Sequence, residues 1–251
     1  FPDAAGDRPV FRRAADRIRA LGRSGRPFFA SVASADNHTP FASVEREFDI
    51  AGHASLAERI LNTTHATDDV VRDFIESLAG EPWFEGTLIV VVGDHGFNVG
   101  EHGQVPGQHN LYRESVWVPL LIVGGHPRLR PGRRDAPASL LDVAPTLADL
   151  LGLREANPWQ GHSLLAVNGG GILAFGFRDS RLAETASWSA VRDPADGSAR
   201  LYRRLEDWLQ RHDLSARFPA VARSLLGRAE RGRRLNDHLL RRGRIGRSNP
   251  S

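Results

Sequence analysis

Residues 87–96 read TLIVVVGDHG. The run at 87–92 is apolar throughout, rich in β-branched side chains, of strand length, and it stops on Gly93. A strand buried on both sides belongs in a sheet covered by helices on both faces, which is the signature of parallel sheets. Two runs of the same kind flank it. Upstream, RPFFASVA at 26–33 closes on the polar stretch SADNHTPF; downstream, VPLLIVGG at 118–125 ends on paired glycines. Helical periodicity fills the intervals. About residues 55–78 place Val70, Val71, Phe74, Ile75 and Leu78 on one face, and SLLDVAPTLADLLG at 139–152 carries Pro145 in its first turn and Gly152 just past its end. Strands alternating with helices predict an α/β domain over residues 1–160, with a doubly wound, mostly parallel sheet flanked by helices.

Beyond about residue 157 the rhythm changes. Short strand-like runs at 172–178, 187–192 and 199–203 lead into Arg-rich amphipathic helices. These predict a small C-terminal α+β subdomain over 161–251 with an antiparallel sheet. A chain of 251 residues can bury a substantial core. No apolar run approaches the roughly 20 residues that cross a bilayer, and residues 1–20 lack the basic-then-apolar order of a signal peptide. The chain begins at Phe1 and has no methionine. It is therefore expected to be part of a longer product, with targeting or membrane segments upstream left open.

The absence of cysteine excludes disulfides, thiolate metal ligands and a cysteine nucleophile within these residues. Lysine is absent too, so all 33 basic side chains are arginine. Arginine used everywhere points to nucleotide bias in the gene before it points to phosphate recognition. The net charge of +3 is modest, yet between residues 200 and 247 there are 14 Arg against five acidic residues. A solvated helical face is the plain reading of that segment. Approach to an acidic membrane surface or to nucleic acid is the sharper one.

The chemistry gathers after Gly93. Asp94 and His95 follow the strand directly, where a doubly wound sheet binds its ligands, outside the carboxyl ends of the strands. A carboxylate beside an imidazole suits Zn²⁺, Mn²⁺ or another borderline ion, whereas an all-oxygen set favours Ca²⁺ or Mg²⁺. Glu101, His102 and His109 follow within 15 residues, and glycines at 93, 96, 100 and 103 let the backbone approach a ligand. The bland alternative is a polar loop with scattered histidines. His53 and His65, near or on the long helix, read as surface residues. Arg113 and Glu114, in the turn before a strand, read as a structural ion pair.

The order of these segments resembles the second half of the sulfatase family of the alkaline-phosphatase superfamily. The likeness lies in GDHGFNVGEHG followed by QHNLYRESVWVPLLIVGG, in RPFFASVASADNHTPF upstream, and in SLLDVAPTLADLLGL and WQGHSLL downstream. It covers roughly residues 26–166. The resemblance implies an alkaline-phosphatase-like fold and a divalent metal (Ca, Mn, Mg or Zn) held by Asp94 and His95. It implies that His38 and His109 contact the anion or protonate the leaving oxygen, with Gln108 and His102 as further substrate contacts. His102 has an alternative role, orienting His95 or the loop.

Two departures bear on the activity. Family members carry a serine, threonine or modified cysteine nucleophile, with further acidic metal ligands, in an N-terminal segment that no part of this chain matches. The nucleophile and the N-terminal part of the site are therefore expected from elsewhere in the same protein. Many sulfatases also place a lysine before the histidine here numbered 109, where this chain has Gln108. Gln can donate a hydrogen bond but brings no charge.

The leading expectation is a metal-dependent hydrolase of sulfate or phosphate esters, acting on a small molecule, lipid or glycan. His95, the missing lysine and NHTPF lean toward envelope phosphoglycerol or phosphoethanolamine transferases of the lipoteichoic-acid-synthase type. GEHG and YRESVWVP lean toward sulfatases. A non-catalytic relative and an anionic-surface binder are the competing classes. Nucleic acid is not the expected partner, membrane association would come through an upstream segment, and the periplasmic or extracellular face of the membrane is the expected location.

Overall fold

A computed structural model of the chain describes residues 6–42, 46–154, 159–166, 171–175 and 180–242. The chain packs as two compact units, one of Phe1–Ile89 with Ile122–His126 and one of Val90–Leu121 with Pro127–Ser251.

In the first unit, helix α1 (Asp7–Arg23) lies against α2 (Leu56–Ala79). Phe11, Ala15 and Ile18 recur at helical spacing on the buried face of α1. Ala15 and Ile18 join Leu78 in one apolar cluster, and Phe11 meets Phe74 edge to face at 5.4 Å between ring centroids. Arg8 pins the helices together through Asp69 at 2.9 Å and Asp73 at 2.6 Å. α2 starts where the sequence places it, because Ser55 and Glu58 form a capping box: Glu58 N–H donates to Ser55 Oγ and Ser55 N–H to Glu58 Oε2.

The expected strand at 26–33 is not assigned as a strand. Phe28 and Val32 turn into the cluster around Ile18 and Leu78, while Phe29 is 87% exposed. An apolar run becomes a strand only where another segment offers a hydrogen-bond ladder, and propensity alone does not supply one.

The other two central runs do form strands, β1 (Ile89–Val92) and β2 (Leu120–Val123), neighbours in a two-stranded sheet. They are less enclosed than apolarity on both faces predicts. Along β2 half-buried and exposed residues alternate, and Val92 of β1 is also exposed. A single helical turn, α3 (Arg113–Val116), precedes β2, and helix α4 (Val143–Leu150), preceded by one turn of 3₁₀ helix from Ser139, matches the expected segment at 139–152.

In the second unit, β3 (Ile172–Phe175), β4 (Arg181–Glu184), β5 (Trp188–Arg192) and β6 (Ala199–Arg203) make an antiparallel sheet in sequential order, as expected, with β4 a strand beyond the three expected ones. The part of the 172–178 run after Phe175 lies outside the described residues. Strand alternation sends Ala183, Ala190 and Leu201 to one face, where Ala222, Leu225 and Ala229 of helix α5 (Pro219–Arg241) cover them. Leu182, Val191 and Tyr202 go to the other face, where they pack on Leu111 and Tyr112. The sheet is thus the support on which the segment after Gly93 ends. Among the described residues no helix is long and apolar enough to cross a membrane.

Candidate functional site

The segment from Gly93 to Tyr112 lies wholly in the second unit. It leaves β1 alongside the turn before β2, with Gly93 N–H donating to Pro119 O at 3.2 Å and Gly96 N–H to Ser115 O at 2.9 Å. Glycine is required at 96: a Cβ there would lie 2.1 Å from Glu114 O. Asn98 and Gly107 then form an isolated antiparallel bridge. Asn98 is fully buried, and its amide closes the loop from inside, donating to Val105 O and accepting from Gly100 N–H. That bridge sets the leg carrying Asp94 and His95 beside the leg carrying Gln108 and His109.

Asp94 and His95 form a defined pair. Asp94 Oδ1 accepts from His95 N–H at 2.9 Å, and Asp94 Oδ2 stands 3.6 Å from His95 Nε2. His95 Nδ1 is 2.9 Å from Gly96 O. A carbonyl oxygen only accepts, so Nδ1 carries the proton and Nε2 of the neutral ring presents a lone pair. Carboxylate and imidazole lone pairs at that separation, with an 88% exposed Asp94 side chain, suit a shared cation. Among the described residues no group of three or more His, Cys, Asp or Glu side chains gathers as a metal site. The pair fits a divalent metal in donor chemistry.

Gln108 and His109 are exposed, and the His109 ring lies against Gly107, whose φ of 140° belongs to glycine. His102 is turned the other way. It stacks on Tyr112 with centroids 3.9 Å apart, and its Nε2 lies 3.5 Å from Glu114 Oε2. His38 belongs to the first unit, in the turn closed by Phe41 N–H on His38 O. Its Nδ1 bonds Thr39 O at 2.9 Å, which again leaves Nε2 as the acceptor of the neutral ring.

Sequence reasoning passed over what anchors the loop. Tyr112 is 1% exposed and its hydroxyl donates to Asp193 Oδ2 at 2.7 Å. Asp193, just past β5, also accepts from Gln104 Nε2 at 3.2 Å and from Ala195 N–H. Burial, with the bond to Asp193, raises the Tyr112 pKa above its ordinary 10.0. Burial likewise pushes Tyr202 up to about 12. Gln210 accepts from Arg113 N–H and donates to Ser189 Oγ. One signal was available: the chain has only two tyrosines, and both are here. Arg113 takes the structural salt-bridge role expected of it, with Glu184 as its partner, and Glu114 lies beside His102. Beside this anchor is a cavity of about 580 Å³, whose lining includes His102, Tyr112, Trp117 and Trp208 but not Asp94, His95, Gln108 or His109.

A model of the sulfatase family matches residues 4–153. Over 106 residues the chain is 42% identical to a choline-sulfatase of Rhizobium meliloti, a segment that is 41% of this chain and 20% of that protein. Over 176 residues it is 27% identical to the lipoteichoic acid synthase-like protein YvgJ of Bacillus subtilis, covering 64% of this chain and 28% of that one. The crystal structure of Ps i-CgsB superposes with a TM-score of 0.74 at 20% identity, covering 90% of this chain and 54% of that chain. The chain thus spans about half the length of that structure and less of the curated relatives. The fold is the alkaline-phosphatase-like α/β fold of the sulfatases. With a family match over more than half its length, this chain belongs to the sulfatase family.

Proposed function

We propose that the chain supplies part of the metal- and anion-binding machinery of an enzyme that cleaves or transfers a sulfate or phosphate ester, on a nucleophile outside these residues. The carrying observation is the Asp94–His95 pair directly after β1, with His95 held in the tautomer that presents Nε2 beside Asp94 Oδ2. A divalent metal, when bound by Asp94 and His95, would supply positive charge against the charge that builds on the transferred group. His109, exposed beside the same loop, donates a hydrogen bond to the anion or a proton to the leaving oxygen. His38 has the same role on the resemblance and on its available Nε2. Gln108 offers the anion an uncharged donor, and His102 acts through the loop it braces.

The choline-sulfatase relative supports a sulfate ester. The YvgJ relative, together with Gln108 in place of a cation, supports a phosphate ester, and for that branch we propose transfer of the group to an envelope acceptor on the outer face of the membrane. Parallel assays of the complete protein on an aryl sulfate, a phosphate monoester and a phosphate diester separate the two. Turnover of one class, reduced about 10²–10⁴-fold in His109→Ala, is expected for a proton-transferring imidazole. No turnover of any class with Ca, Mn, Mg or Zn supplied would make this a non-catalytic member.

A further inference from the structure

Helix α5 covers one face of the C-terminal sheet and turns its other side outward. Ala222, Leu225 and Ala229 fix the inward side. Arg223, Arg228, Arg231, Arg234 and Arg241 fall on the far side of the helix and are exposed. From Arg223 to Arg241 they span roughly 27 Å at the helical rise per residue. Leu235, 59% exposed, lies among them.

Composition does not account for this stripe. Helix α2, of similar length, holds two arginines against five carboxylates, whereas α5 holds six against two. Both carboxylates of α5 are committed within the unit. Glu230 accepts from Arg233 at 2.8 Å and from Arg234 at 2.9 Å and lies 3.3 Å from Arg181, and Asp237 accepts from Arg233 at 2.7 Å. Among the described residues Arg223, Arg228, Arg231 and Arg241 make no ion pair. A row of guanidiniums without carboxylates to neutralise them is complementary to a surface dense in negative charge.

Shape and side-chain chemistry choose among such surfaces. A bilayer surface is planar and meets a straight helix along its whole length, and a leucine among arginines enters its headgroup layer. Single-stranded nucleic acid is held by aromatic side chains on which bases stack, and α5 has no Phe, Tyr or Trp. The stripe also faces away from the sheet side that packs on Leu111 and Tyr112, so it is separate from the loop bearing Asp94 and His95. We propose that the outer face of α5 docks on an anionic phospholipid bilayer, with its arginines on the headgroup phosphates and Leu235 in the headgroup layer.

Sedimentation of the complete protein with vesicles tests this, comparing phosphatidylcholine that contains phosphatidylglycerol with phosphatidylcholine alone. Any apolar segment elsewhere in the protein contributes alike to both vesicle types, so the difference between them reads the charged face. Tighter binding to the phosphatidylglycerol vesicles is expected, weakening as salt is raised. Arg223→Gln, Arg228→Gln and Arg231→Gln combined break no ion pair, so the unfolding midpoint should hold. Binding to the anionic vesicles should fall by on the order of 100-fold. Leu235→Ser should weaken it about fivefold. A labelled DNA duplex at the same protein and salt concentrations should not bind. Equal binding to the two vesicle types, or binding to neither, would overturn the proposal. So would a preference for phosphatidylglycerol that survives the triple substitution, vesicle binding unchanged by Leu235→Ser, or DNA binding as tight as vesicle binding. Ester turnover is read separately, so failure here leaves the proposed activity untouched.

Discussion

At the residue scale, Tyr112 joins the loop to the sheet through one buried hydrogen bond to Asp193. Tyr112→Phe keeps the ring stacked on His102 but removes that bond, at a cost of about 1.5–3 kcal/mol for a bond to a charged acceptor. A lowered thermal unfolding midpoint would read it. The same group fixes a pH dependence. The folded pKa values of Tyr112 and Tyr202 lie above 10.0, so the unfolded chain ionises these tyrosines first. The stability they contribute is present below about pH 10 and is lost as pH rises beyond it. The wild-type unfolding midpoint should therefore fall as pH climbs past 10, and fall less steeply in Tyr112→Phe. Equal slopes in the two proteins would contradict the assignment of that bond.

At the element scale, the loop depends on Gly96, where a side chain has no room against Glu114 O. Gly96→Ala must push the β1 exit away from the turn before β2. A loss of about 1–3 kcal/mol is expected, the usual cost of overpacking, with a fall in activity larger than the stability loss explains. Circular dichroism melts and steady-state rates on the same preparation check this. Much of the geometry around the candidate site was legible because local chemistry determined it: a β-branched run ending in glycine gives β1, and Asp94 and His95 follow at its end. The helices at α2 and α4 were legible through their caps and periodicity. The run at 26–33 was not, because strand identity depends on a neighbour whose position no local pattern encodes. Asp193, Tyr202 and Gln210 were not legible either. Each earns its place through contact with Tyr112 or Arg113 some 80 to 100 residues earlier in the chain.

At the scale of the molecule, the C-terminal sheet is a two-sided support, with α5 on one face and Leu111 and Tyr112 on the other. Leu225→Ala in α5 removes a buried side chain and should cost about 2–5 kcal/mol. Chemical denaturation would measure it, and a change under 1 kcal/mol would mean that α5 packs loosely on the sheet. The segment between Gly93 and Tyr112 is the point where fold, family and proposed chemistry meet, and its claim is that Asp94 and His95 hold a divalent metal. Metal content of the complete protein and of Asp94→Ala, by elemental analysis after identical dialysis, tests that claim most directly. A stoichiometric divalent ion in the wild type that is lost from a folded Asp94→Ala variant is the expected result. Equal metal in both proteins, or none in the wild type after incubation with Ca, Mn, Mg and Zn, would contradict it.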